Sequence, residues 1–169
     1  GTETLTGNNT YTGATTINSG TLAISGNGSL SSSSPVSLTA AGATLDLSGA
    51  ASPQSTGTIS GVAGSTVNLG NNNLTLGGSG NGTFGGTVGG TGGLTLSGTG
   101  TETLTGNNTY TGATTINSGT LAIGGNGSLS SSSQVNLAGA GATFDVSGAT
   151  TPQTTGTLSG VAGSTVNLG

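Results

Sequence analysis

The stretch Leu5–Ile24, which reads LTGNNTYTGATTINSGTLAI, recurs without a change 99 residues later as Leu104–Ile123. The identity extends beyond this stretch, because residues 1–70 align with residues 100–169 at 59 of 70 positions. We therefore divide the chain into a first repeat, residues 1–99, and a second, incomplete repeat, residues 100–169. Because the copies are so similar, we expect the second repeat to continue the first in one rod.

The composition favours a stack of thin layers. Glycine supplies 37 of the 169 residues and hydrophobic residues only 29% of the chain. That leaves too few apolar side chains for one large round core. In a stacked repeat protein each layer is covered by its neighbours, so each layer needs few apolar residues.

The charge balance excludes two classes of partner. The chain has no Lys, Arg or His and only four acidic residues. Without basic side chains it cannot neutralise phosphates, so we expect no nucleic acid partner and no attraction to an anionic membrane. No apolar run approaches the roughly 20 residues that span a bilayer, so we expect no membrane insertion by this segment.

Short segments with the order apolar, polar, apolar recur at intervals of about 22–27 residues, a spacing within the range of solenoid repeats. This alternation is typical of a strand with one buried face. There are four such segments in the first repeat and three in the second. They predict a core made of Leu22, Ile24, Leu45, Leu47, Val67, Leu69, Leu94, Leu96, Leu121, Ile123, Phe144, Val146, Val166 and Leu168.

Equivalent strands that recur in this way stack in parallel, about 4.8 Å apart. Parallel crossover connections are nearly always right-handed. The sequence therefore predicts an all-β fold, a right-handed parallel β-helix or β-solenoid. Its rungs would hold about 22–27 residues each, with four rungs in every repeat.

The repeated stretch also resembles a known family. The runs LTGNNTYTG at residues 104–112 and TTINSGTL at residues 114–121, with their copies in the first repeat, look like the autotransporter-associated β-strand repeat of bacterial passenger domains. That family commonly has a second Gly where this chain has Ala14 and Ala113, a departure at one corner. The resemblance implies a right-handed β-helix outside a bacterial cell, with an adhesive or structural role. It implies no catalytic residue.

The four carboxylates do not form a recognisable site. Asp46 and Asp145 each lie between two inward apolar residues, so alternation points them outward, where we expect solvated groups that discourage lateral association. Calcium needs six to eight oxygen ligands, and these carboxylates stand alone, so we expect no metal. A pair of acids can hydrolyse glycosides. However, we expect Glu3 and Asp46 to lie about two rungs apart with no aromatic platform beside them.

The chain also lacks the usual catalytic groups. With no His, Cys or Lys there is no base or activated nucleophile of the common kinds. We therefore expect no enzymatic activity, no catalytic residue and no cofactor. Tyr11 and Tyr110 could stack on carbohydrate, but packing at a coil edge, with the hydroxyl in solvent, is the favoured interpretation.

These observations favour a structural segment of a long extracellular β-solenoid, at the bacterial surface or secreted, that acts as a stiff fibre or stalk. Its expected partner is itself, through end-to-end stacking or a continuous repeat array. The alternative is an adhesin that binds glycans, extracellular matrix or neighbouring cells. Ice binding is a minor alternative, because no predicted core strand presents two outward threonines.

Overall fold

The computed structural model describes residues 1–169 as a three-sided parallel β-solenoid of eight turns, which confirms the predicted fold class. Each full turn visits a first, a second and a third face in that order. The third face is an eight-stranded parallel sheet that runs through both repeats. Its strands, in stacking order, are β2 (Thr15–Ile17), β4 (Val36–Leu38), β7 (Ile59–Gly61), β10 (Gly82–Phe84), β13 (Thr101–Leu104), β15 (Thr120–Gly125), β17 (Thr143–Ala149) and β19 (Thr165–Asn167).

The other two faces are shorter. The first face holds β1 (Thr2–Leu5), β3 (Thr21–Gly26), β5 (Thr44–Ala50), β8 (Thr66–Asn68) and β11 (Thr87–Gly89). The second face holds β6 (Gln54–Thr56), β9 (Leu74–Leu76), β12 (Leu94–Leu96), β14 (Thr114–Ile116), β16 (Val135–Leu137) and β18 (Leu158–Gly160). Where a turn lacks a full strand, isolated parallel bridges join Asn8 to Ser29 and Asn107 to Ser128.

Some rungs are shorter than the sequence pattern predicts. On the first face, one rung runs from Thr2 to its stacked partner Thr21, and another runs from Thr66 to Thr87. Such rungs hold about 20 residues, which is the lower end of the range for stacked repeats. These rungs lie below the predicted range of about 22–27 residues, whereas the rung from Thr21 to Thr44 lies within it.

The upper end of the predicted rung length is an overestimate that arises at Leu94. The sequence pattern places Leu94 directly after Val67 in one row of inward residues. In the structure Leu94 lies on the second face, between Leu74 and Thr114. Val67 lies on the first face and stacks on Leu45. The interval between Val67 and Leu94 thus measures one turn and one further face rather than one rung.

The repeat length does not equal a whole number of turns. β3 lies on the first face, yet its copy β15 lies on the third, and β2 on the third face has its copy β14 on the second. One repeat thus spans four turns and two further faces rather than four rungs. Identical sequences are presented on different sides of the rod.

Glycine permits the tight corners between faces. Gly42 and Gly64, each just before a first-face strand, have φ values of 82° and 84°, which favour glycine. Elsewhere the backbones approach too closely for any side chain: a Cβ on Gly98 would overlap the carbonyl oxygen of Gly78 in the turn before it.

The structure contains no helix with the length and apolar character needed to cross a membrane.

Candidate functional site

The interior of the rod is one cluster of 28 buried hydrophobic residues. Of the fourteen residues that the sequence pattern places in the core, ten are buried: Ile24, Leu45, Leu47, Val67, Leu69, Leu94, Leu96, Leu121, Ile123 and Phe144. Leu22 and Val146 are half-buried and pack against the cluster. Val166 and Leu168 are exposed, by 38% and 75%, because no later rung within residues 1–169 covers them.

The two aspartates lie at outward strand positions and bond to neighbouring polar groups. Asp46 Oδ1 accepts hydrogen bonds from Ser48 N and from Asn68 Nδ2, both at 3.0 Å. Asp145 Oδ1 accepts from the hydroxyl of Ser147 at 2.6 Å and from its backbone N–H at 2.9 Å. These two bonds from Ser147, the hydroxyl's first, lower the pKa of Asp145.

Glu102 is placed quite differently, because its side chain points into the rod. It pairs with Gly82 on one side and with Leu121 on the other, and only 1% of its surface is exposed. Strand alternation explains the direction: Leu104 points inward, so the residue two positions earlier must do so as well. The chain thus places a carboxyl group in an inward row that holds apolar residues on both sides, among them Ile59, Leu121 and Phe144.

The absence of a side chain at Gly82 makes room for this carboxyl group. A Cβ on Gly82 would overlap both carboxyl oxygens of Glu102. The carboxyl passes Gly82 and reaches the rung beyond, where its Oε2 accepts a long hydrogen bond of 3.4 Å from Ile59 N. Its Oε1 has no hydrogen-bond partner. Burial in this apolar surrounding raises the pKa of Glu102 to about 8.

A sequence signal for this buried carboxyl was present. The strand Thr101–Leu104 alternates in the same way as the predicted core strands, so Leu104 at an inward position implies an inward Glu102. The copy, Glu3 in β1, is exposed, because no rung within residues 1–169 stacks on its other side. Glu3 instead lines an open cleft of about 360 Å³ together with Leu5, Tyr11 and Leu22.

The two tyrosines form the same local bonds in different surroundings. Tyr110 is fully buried, and its hydroxyl lies 2.7 Å from Thr114 Oγ1, which in turn lies 3.1 Å from Ser133 Oγ. Burial raises the pKa of Tyr110 to about 12, and these hydrogen bonds partly oppose the rise. Tyr11 has the matching 2.7 Å contact with Thr15 but is 41% exposed. The predicted solvent-facing hydroxyl therefore fits Tyr11 and is wrong for Tyr110.

The outward surface carries a ladder of threonines. On the first face Thr2, Thr21, Thr44, Thr66 and Thr87 stack in register. The adjacent outward column is mixed: Thr4, Ala23, Asp46, Asn68 and Gly89. Only the first rung of this face therefore presents two threonines side by side.

The distinctive chemical feature of this interior is one carboxyl group that can hold a proton. No group of three or more His, Cys, Asp or Glu side chains lies close enough together to hold a metal ion. The carboxyl of Glu102 is enclosed and has no basic side chain near it, since the chain has none. The buried position, the gap at Gly82 and the unpartnered Oε1 make Glu102 the most unusual group in the molecule.

Comparison with known proteins gives one family. Residues 1–24 and 94–123 match the passenger-associated-transport-repeat. No curated protein and no solved structure matches the chain. The matched segments include both Leu5–Ile24 and its copy Leu104–Ile123, and they confirm the resemblance to an autotransporter passenger repeat. Two segments of the chain thus match this repeat, and both lie within a single β-solenoid.

Proposed function

We propose that this segment is a stiff, non-catalytic spacer in an extracellular passenger protein, serving as a fibre or surface stalk. The observation that carries the proposal is the third face, whose eight parallel strands run through the boundary between the repeats without a break. The passenger-associated repeats support a secreted or surface location. Stiffness follows from hydrogen bonds that join each turn to the next along the axis.

The energetics of such a rod suit a spacer. Every rung adds buried aliphatic side chains, and each contributes about 1.5–3 kcal/mol when it is removed from water. In repeat proteins these contributions add between nearest neighbours, so stability grows with the number of turns. Because the chain has no Lys or Arg, it offers no cleavage site for trypsin.

The test is a series of chains in which the full repeat, residues 1–99, is inserted one, two and three times. Each insertion adds four turns and two faces, which corresponds to about 22 Å of rod at about 4.8 Å per turn. Small-angle X-ray scattering should show the longest dimension growing linearly by about that amount at constant cross-section. Growth with the square root of the number of repeats would indicate a flexible chain and would contradict the proposal.

The partner that the repetition supports best is a second copy of the same chain. Because the copies are nearly identical, a surface at the end of one stack fits rungs of the same kind in another. Electron microscopy of the purified chain in the presence of a chelator should show thin unbranched fibres that lengthen with concentration. Isolated short rods at all concentrations would leave the continuous repeat array as the only source of length.

Adhesion is a second candidate, favoured by the threonine ladder. Its stacked hydroxyls, such as those of Thr44 and Thr66, form a regular row about 4.8 Å apart that could hydrogen-bond an extended glycan or matrix polymer. Binding to a glycan array that is lost in Thr44→Val/Thr66→Val would support this role. The third face carries the same ladder as Thr101, Thr120, Thr143 and Thr165, so Thr143→Val/Thr165→Val and the chain with all four substitutions show which ladder binds. Equal binding by the wild type and the chain with all four substitutions would argue against the ladders as a site.

A further inference from the structure

We propose that Glu102 makes the solenoid sensitive to alkaline conditions: the stack is closed while this carboxyl group holds its proton, and loss of the proton loosens the rungs between Ile59 and Leu121. The position carries the argument. Glu102 occupies a buried, inward position, with Gly82 beside it and Leu121 on the other side. A carboxylate in such a place is costly unless a cation or several donors compensate it.

Nothing in the surroundings supplies that compensation. The strands stacked nearest to Glu102 on the third face, β7, β10 and β15, contain no titratable side chain, nor do β11 and β12 in the same turn. Further along this face Asp145 on β17 points outward, and the hydroxyl of buried Tyr110 is engaged with Thr114. The single donor to the carboxyl is the backbone N–H of Ile59 at 3.4 Å.

The direction of the effect follows from proton linkage. In the unfolded chain a glutamate ionises near pH 4.5, whereas the folded chain holds the proton of Glu102 up to about pH 8. Between these values only the folded state binds the proton, so a rise in pH favours unfolding. The unfolding constant should increase about tenfold for each pH unit in this window and level off above it.

The first experiment compares three chains by denaturant unfolding from pH 5 to pH 9. The wild type should show the tenfold increase per pH unit, Glu102→Gln should show almost none, and Glu3→Gln should match the wild type. Glu3 is the matched control because it lies in the same tetrapeptide, TETL, but is exposed. A flat wild-type profile, an unchanged slope in Glu102→Gln, or a slope lost in Glu3→Gln would overturn the proposal.

A second measurement needs no variant. Hydrogen exchange corrected for intrinsic base catalysis reports local opening. The amide of Gly85, which bonds to Gly61 O, and that of Thr105, which bonds to Phe84 O, should lose protection about tenfold per pH unit between pH 6 and pH 8. The amide of Thr44, bonded to Gly20 O on the first face, serves as the control. Constant protection at Gly85 and Thr105 would refute the proposal even if Glu102→Gln failed to fold.

Discussion

The two copies of the repeated stretch have the same sequence and different surroundings. In the first copy Glu3 is exposed and Tyr11 is 41% exposed, whereas in the second copy Glu102 and Tyr110 are buried. The local bonds are unchanged, since each tyrosine hydroxyl lies 2.7 Å from the threonine four residues later. Sequence therefore sets the local conformation, and the neighbouring rungs set the burial. In a solenoid, the energetic role of a residue depends on what is stacked against it.

The largest expected effect is the difference in unfolding free energy between the variants Tyr110→Ala and Tyr11→Ala. Tyr110→Ala should lower the free energy of unfolding by about 3–5 kcal/mol, because it leaves a cavity in a packed core. Tyr11→Ala should cost less than about 1 kcal/mol, since its side chain already meets water. Denaturant unfolding of both variants measures the difference. Equal losses would mean that the hydrogen bond to threonine, rather than burial, stabilises this corner.

The comparison can then be reversed by adding rungs. Fusing a copy of residues 54–99 ahead of Gly1 gives the first copy the same preceding sequence as the second. If the neighbouring rungs decide burial, Tyr11→Ala in the fused chain should cost about 3–5 kcal/mol, like Tyr110→Ala. The measurement is the same denaturant titration, with the unfused variant as the control. A cost that stays below about 1 kcal/mol would show that the added turns do not stack on β1.

Much of the fold could be predicted from the sequence because strand alternation is local. The segments around Leu45 and Leu121 show the period of two, and both residues are buried. The face to which each strand belongs is not local information. All three faces use the same alternation, so Leu94 on the second face looks like Val67 on the first. Only the lengths of the corners distinguish them, and corner lengths vary from turn to turn.

The burial of Glu102 could likewise be predicted only in part from local sequence. Alternation with Leu104 indicates that Glu102 points inward, but a glutamate there is tolerable only if the neighbouring rung leaves space. That space depends on Gly82, which lies one rung earlier in the chain and has no copy within the second repeat. The pairing of a large side chain with a glycine in the next rung becomes visible once the register is known.

This pairing leads to a prediction of intermediate size. Gly82→Ala should destabilise the fold by about 1–3 kcal/mol, because its Cβ would overlap the carboxyl of Glu102 and the carbonyl oxygen of Ile59. Gly80→Ala is the control, since nothing lies within 4 Å of the added atom. Thermal or denaturant unfolding measures both. If Glu102→Ala relieves part of the cost of Gly82→Ala in a double-mutant cycle, the overlap with the carboxyl is real.

The smallest expected effect concerns the outward aspartates, the pair that differs least between the copies. Asp145 accepts a hydrogen bond from the hydroxyl of Ser147, and the copy at Asp46 accepts one from Asn68 instead. Ser147→Ala should therefore raise the pKa of Asp145 toward its ordinary value, as followed by carboxyl carbon NMR, because it removes the first cause of the lowering. A lowered pKa stabilises the folded chain above the ordinary pKa of aspartate, and this stabilisation is lost as pH falls through the folded value. Because Asp145 is largely solvated, the change in stability at neutral pH should stay below about 0.5 kcal/mol. An unchanged Asp145 pKa would assign the lowering to the remaining donors, the backbone N–H of Ser147 first and the side chain of Asn167 after it.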